Sequence, residues 1–196
     1  MKVLGITGSV GMGKTTAAKA FARAGYPVFD ADAAVHDLLA NDKQTIAAVR
    51  RTFPGAIERG AIDRKALGAL VFASPAALAR LEKVLHARVR ARQRQFVRDA
   101  RRGGATLAVV DVPLLFETGG DKEVDAVLVV SAPAAVQRAR VLARRGMTPA
   151  RFKAMRARQW SDRDKRRHAT YVVDTGAGRA MMVRQIRAIL AILDPQ

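Results

Sequence analysis

Cysteine is missing from all 196 residues, so disulfides and thiolate metal sites are both excluded. Aromatic residues make up only 5%, with one Trp and two Tyr, which leaves few platforms for stacking nucleic-acid bases. No run of about 18 apolar residues occurs, so no membrane-spanning helix is expected. A secretory h-region is absent too, because Asp30 and Asp32 closely follow the first predicted strand and helix. The expectation is a cytoplasmic protein. Acidic residues are scarce, 17 against 35 basic ones, for a net charge of +18. Such a balance suits polyanionic partners. The excess is spread along the chain, however, and Arg outnumbers Lys 26 to 9. A codon-driven bias towards Arg, with most arginines on solvated helix faces, accounts for this better than nucleic-acid binding. Small anionic substrates would gain from the same field. Nothing in the sequence fixes an oligomeric state. What is present in quantity is apolar: 49% of the chain, enough to build the core of one domain carrying insertions.

The stretch Gly8-Ser9-Val10-Gly11-Met12-Gly13-Lys14-Thr15 fits G-x-x-x-x-G-K-[ST], the phosphate-binding loop. Its flanks agree. Val3 to Thr7 reads as a buried strand, and Thr16 to Arg23 is an Ala-rich helix former that stops at Gly25. Glycines allow backbone N–H groups to turn around phosphate oxygens, and the helix N-terminus adds partial positive charge. The expected nucleotide contacts are Gly8, Gly11, Met12, Gly13, Lys14, Thr15 and Thr16, with Lys14 reaching the β- and γ-phosphates and the Thr15 hydroxyl on Mg²⁺.

A second short strand ends at Asp30-Ala31-Asp32, just past a strand's C-terminal end, where open α/β sheets place ligands. Asp32 either caps a helix from Ala33 to Ala40 or serves as a general base towards an acceptor hydroxyl; its place favours the second. From Gln44 to Gly103 the pattern is helical and contains no convincing strand. Asp63 caps one helix, and Ser74-Pro75 opens another reaching Arg102. His86 stands one place from that helix's apolar stripe, where a packing role is the simpler one. Thr106 to Asp111 reads as a buried parallel strand whose terminal carboxylate resembles a Walker-B ligand for Mg²⁺. Pro113 then forces a turn that carries Glu117. Ala126 to Val130 is a further strand. Arg140 and Arg144 fall at i, i+4 on the helix after it, and Thr148-Pro149 starts a helix to Gln159. An Arg-rich helical pair of this kind suits a lid that neutralises phosphoryl charge and excludes water. Ser161 to His168 reads as a charged helix, Tyr171 to Asp174 as the last strand, and Ala180 to Leu193 as an amphipathic helix.

Together these motifs resemble the dephospho-coenzyme A kinase family. The resemblance rests on the phosphate loop, Asp30-Ala31-Asp32, Asp63-Arg64, Leu85-His86, the block Asp111-Val112-Pro113-Leu114-Leu115-Phe116-Glu117, Gln137 with Arg140 and Arg144, Gln159, and Tyr171 to Asp174. It covers nearly the whole chain. It implies an α/β fold of the P-loop, nucleoside-monophosphate-kinase type: a five-stranded parallel sheet between helices, with a helical acceptor-binding insertion and a helical lid. On this plan residues 1–43, 104–132 and 168–196 form the core, 44–103 the insertion and 133–167 the lid. The implied reaction uses ATP with Mg²⁺ to phosphorylate the ribose 3′-hydroxyl of dephospho-coenzyme A. Asp32 would be the base, with Lys14, Arg140 and Arg144 catalytic. Asp32, His86, Leu114, Leu115 and Glu117 would meet the acceptor, and Thr15 and Asp111 the metal. Ala87, Met155 and Thr175 stand where the family usually has Pro, Arg and Asn. A kinase of the same architecture for another metabolite, or a nucleic-acid-stimulated ATPase, would share the phosphate loop.

Overall fold

Parallel strands buried on both faces are the frame of the protein. The structure is a computed structural model describing residues 1–195. It falls into two compact units, residues 1–29 with 97–196, and residues 30–96.

In the first unit, β1 (Lys2–Thr7) pairs in parallel with β5 (Leu107–Asp111) on one side and β6 (Ala126–Ser131) on the other. β7 (Tyr171–Asp174) runs parallel beside β6, and β2 (Val28–Asp30) completes the sheet next to β5, giving the order β2-β5-β1-β6-β7. Every residue of β5 and β6 is buried. Alternate β6 side chains serve opposite faces: Leu128 and Val130 join Leu4, Ile6, Phe21, Met182 and Ile186, while Val127 and Val129 pack with Leu115 and Phe116. Ala17 and Phe21 of this core come from α1 (Lys14–Arg23), and Met182, Ile186, Ile189, Leu190 and Leu193 from the terminal α9 (Arg179–Leu193), amphipathic helices laid on the sheet. Because the strands are parallel, the loops after β1, β5, β6 and β7 all emerge at one edge.

Between β6 and β7 come α6 (Ala134–Leu142), α7 (Pro149–Ala157) and α8 (Asp162–His168). The expected cap at Thr148 forms, its Oγ1 accepting from Arg151 N at 3.2 Å, and the structure adds one at Ser161, whose Oγ accepts from Asp164 N at 3.1 Å. Two expectations shift here. α7 stops at Ala157, two residues short of Gln159. α6 ends at Leu142, which leaves Arg144 in the turn before Gly146 rather than on a helix face shared with Arg140. Gly146, at φ 75°, turns the chain there.

The second unit holds α2 (Ala31–Asn41), α3 (Lys43–Thr52), α4 (Arg64–Ala73) and most of α5 (Pro75–Arg102). Leu39, Val49, Phe53, Leu67, Leu81 and Leu85 form its core. Asp42 and Asp63 cap α3 and α4. The expectation of no strand between residues 44 and 103 is corrected by a small hairpin, β3 (Ile57–Glu58) against β4 (Ala61–Ile62). Its turn has Arg59 at φ 48° and Gly60 at φ 84°. Two residues per strand show no periodicity, and Arg lacks the Asn or Asp signature of such a turn.

Candidate active site

The phosphate loop leaves the buried end of β1 and enters α1. Gly8 is required by packing: a Cβ there would lie 2.6 Å from both Cγ2 and the carbonyl oxygen of Val130, and the carbonyl belongs to a sheet strand that cannot retreat. Gly13 holds the N-cap of α1 at φ 90°, ψ 18°, left-handed backbone where a side chain is strained. Lys14 opens the helix, and its Nζ lies 3.2 Å from Oδ1 of Asp111, the buried last residue of β5. Thr15 and Thr16 follow it in the exposed first turn. The loop, an ammonium, a strand-end carboxylate and a hydroxyl therefore meet at one sheet edge. Met12 plays another part. Its side chain is 3% exposed and its Sδ accepts from Ala132 N, so it anchors the loop to the protein interior and has only main-chain groups to offer a ligand.

Other residues hold the loop from behind. Gln137 Nε2 donates to the Val10 carbonyl at 2.8 Å, and Val10 N donates to Gln159 Oε1 at 3.0 Å. Thr175, buried, has its Oγ1 2.7 Å from the Met12 carbonyl oxygen to which it donates. It also accepts from Arg140 Nη1 at 3.0 Å, while Arg140 Nη2 reaches the Thr175 carbonyl at 2.7 Å. Arg140 is thus tied to the β7 loop, and Arg144 is exposed. The glutamines' and Thr175's contacts with the loop are what sequence reasoning missed. Partners 127 to 163 positions apart leave no local spacing signal.

The turn after β5 is fixed at its carbonyls. Thr7 Oγ1 and Lys165 Nζ both reach the Pro113 oxygen, at 3.0 and 3.4 Å. Lys165, on α8 with no exposed side-chain surface, pairs with Glu117 at 2.8 Å. Burial pushes its ammonium below the ordinary lysine range, and the hydrogen bond and charge of Glu117 partly offset this. Glu117 also accepts from Trp160 N at 2.7 Å. Trp160 stacks on Phe116 with ring centroids 5.4 Å apart, and His168 meets it edge-on. Leu115 corrects the sequence expectation: it is fully buried in the core under β6 and presents nothing to an acceptor, whereas Leu114 is half-buried.

In the second unit, Asp30 Oδ1 accepts from Ala33 N at 2.9 Å and so caps α2, which starts two residues earlier than expected. Asp32 is not the cap. Its carboxylate stands exposed in the first turn of α2. His86 is also exposed on α5, so it does not pack in the core.

Metal demands are modest at such a site. Mg²⁺ coordinated by phosphate oxygens and water needs one or two protein oxygens, and the Thr15 hydroxyl with the Asp111 carboxylate fits that need. Among the described residues no cluster of three or more His, Asp or Glu offers a cage built from protein alone. Nor is any helix among them long and apolar enough to cross a membrane.

Comparison with known proteins gives a consistent result. The sequence profile described as "Dephospho-CoA kinase" matches residues 2–180. A dephospho-CoA kinase of Rhodopseudomonas palustris is 53% identical over 190 residues, 97% of this chain and 94% of that one. The crystal structure of TT1252 from Thermus thermophilus superposes with a TM-score of 0.83 at 35% identity, covering 98% of this chain and 97% of that one. A dephospho-CoA kinase from Campylobacter jejuni shares the fold, with TM-score 0.68 at 20% identity over 98% and 97% of the two chains.

Proposed function

The chain belongs to the dephospho-CoA kinase family, and from that premise we propose that it catalyses the last step of coenzyme A synthesis. The γ-phosphoryl group of ATP passes in line to the ribose 3′-hydroxyl of dephospho-coenzyme A. The bond to the β-phosphate oxygen breaks, the hydroxyl oxygen bonds to phosphorus and loses its proton, and ADP leaves. Mg²⁺, held by Thr15 and Asp111, supplies charge neutralisation at the phosphates. Lys14 and the loop amides bind the triphosphate. Asp32 orients and deprotonates the acceptor hydroxyl. Arg140 and Arg144 neutralise charge on the transferred group within a lid over residues 133–167, while residues 44–103, including His86, together with Leu114 and Glu117 receive the acceptor. The compartment is the cytoplasm.

The observation that carries this reading is the 3.2 Å pairing of Lys14 with Asp111 beside the exposed Thr15, where a magnesium triphosphate finds an ammonium, a hydroxyl and a carboxylate together. The test is coupled ADP release across dephospho-coenzyme A, AMP, CMP and shikimate. Turnover confined to dephospho-coenzyme A is expected. Preference for another acceptor would overturn the substrate assignment.

A further inference from the structure

Three glycines give the phosphate loop large backbone freedom, and a loop that grips anions with its amides must lose that freedom before it binds well. The loop's own hydrogen bonding is sparse: Met12 N to the Ser9 carbonyl at 3.1 Å, then the start of α1. Side chains hold it instead: Thr175 at the Met12 carbonyl, and two glutamines at the carbonyl and the amide of a single residue, Val10. The Val10 carbonyl accepts from Gln137 Nε2 at 2.8 Å, and the Val10 amide donates to Gln159 Oε1 at 3.0 Å. A main-chain N–H can only donate and a carbonyl can only accept, so each glutamine's amide orientation is dictated by its partner.

Both glutamines are themselves restrained. Gln137 is 3% exposed in α6. Gln159 lies between α7 and α8, and the next residue fastens its position, with Trp160 N on Glu117 and its ring on Phe116. We propose that Gln137 and Gln159 are positioning residues for the triphosphate donor, a two-sided clamp on Val10 that sets the shape of the phosphate loop. The Val10 amide is committed to Gln159, so the clamp acts on nucleotide affinity through the loop and not by contact with phosphate. The inference rests on the reading that this loop binds ATP.

Replacement by glutamate tests the polarity of each bond. At Gln159 a carboxylate still accepts from Val10 N. At Gln137 it faces a carbonyl with no donor to give. Both changes add one negative charge beside the same residue, Val10, so any general repulsion of the triphosphate is common to the two. Nucleotide binding by the unaltered protein is measured first by calorimetry; if ATP does not bind, the function reading fails and not this one. With binding established, Gln137→Glu should weaken ATP roughly fivefold more than Gln159→Glu, and Gln159→Ala should weaken it roughly fivefold against wild type, the loss of one hydrogen bond. The KM for dephospho-coenzyme A should stay within twofold. Amide exchange at Val10 should accelerate in Gln159→Ala, at unchanged thermal midpoint. If Gln137→Glu does not fold, the Gln159→Ala affinity and exchange decide alone. Equal affinities for the two glutamate variants, or an alanine variant with wild-type affinity and Val10 protection, would overturn the clamp.

Discussion

Lys165 shows how far single residues here are specified by distant partners. Its side chain has no exposed surface, its Nζ is 2.8 Å from Glu117, and Glu117 keeps 13% of its own side chain accessible. Burial disfavours the charged lysine, which holds its pKa below the ordinary value. Removing one member of such a pair strands the other, at a cost of about 3 kcal/mol, reduced by whatever water reaches the survivor. Lys165→Met should therefore lower the urea midpoint clearly. Lys165→Met with Glu117→Gln should recover at least half of that loss, because no carboxylate is left stranded. Full additivity of the two changes would argue against a coupled pair. At the proposed base, Asp32, the expectation is kinetic. Asp30 caps α2, so Asp32→Asn removes no cap. Calorimetry should find ATP binding unchanged, with kcat lower by about 10²–10⁴, the usual contribution of a general base. Wild-type turnover in that variant would take Asp32 out of the mechanism.

Among the elements, α9 shows what holds the terminal helix on the sheet. Past its end, Asp194 Oδ2 accepts from Thr106 Oγ1 at 2.7 Å and from the Tyr26 hydroxyl at 2.9 Å. The Thr106 hydroxyl first, and the Tyr26 hydroxyl second, favour the ionised form and hold the carboxyl below its usual pKa. A depressed folded-state pKa adds stability that is present above the unfolded value, near 3.9 for aspartate, and is lost as pH falls through the folded one. Wild type should thus lose more denaturant resistance than Asp194→Asn between about pH 5 and pH 2. Parallel pH profiles for the two would count against the tether. Elements with strong local signals were legible in the sequence: the apolar runs of β1, β5 and β6, the caps at Asp63, Ser74 and Thr148, and the Gly-Lys-Thr turn into α1. Signals failed where the determinant lies elsewhere in the chain. The Arg59-Gly60 hairpin has too few residues for a period, and α7 stops where Gln159 is drawn to Val10. Likewise the Leu114-Leu115 pair reads as uniform, and only the sheet above it separates the buried residue from the half-buried one. For the site, the motif gave residue types and order. It was silent on the Gln137, Gln159 and Thr175 contacts, because hydrogen bonds across 127 to 163 positions depend on the assembled sheet.

For the whole molecule, the remaining question is the use of a net charge of +18. Both proposed substrates are anions, and a basic surface raises their local concentration and association rate. That benefit is screened within a Debye length of about 10 Å at 0.1 M salt. Contacts inside a closed site are screened less. Raising salt from 0.05 to 0.3 M, as KCl, should therefore lower kcat/KM for ATP and for dephospho-coenzyme A severalfold while kcat changes much less, an estimate from this screening alone. A polynucleotide partner predicts something different. Duplex DNA or RNA would then stimulate ATP turnover without an acceptor, and stimulation would fall steeply with log salt as counterions are released. With 5% aromatic residues and arginines scattered over many helices, polynucleotide should act only as a weak competitive polyanion, raising KM without activating turnover. Acceptor-free ATPase activity that rises severalfold with DNA would reverse this assignment and give the positive surface a second role.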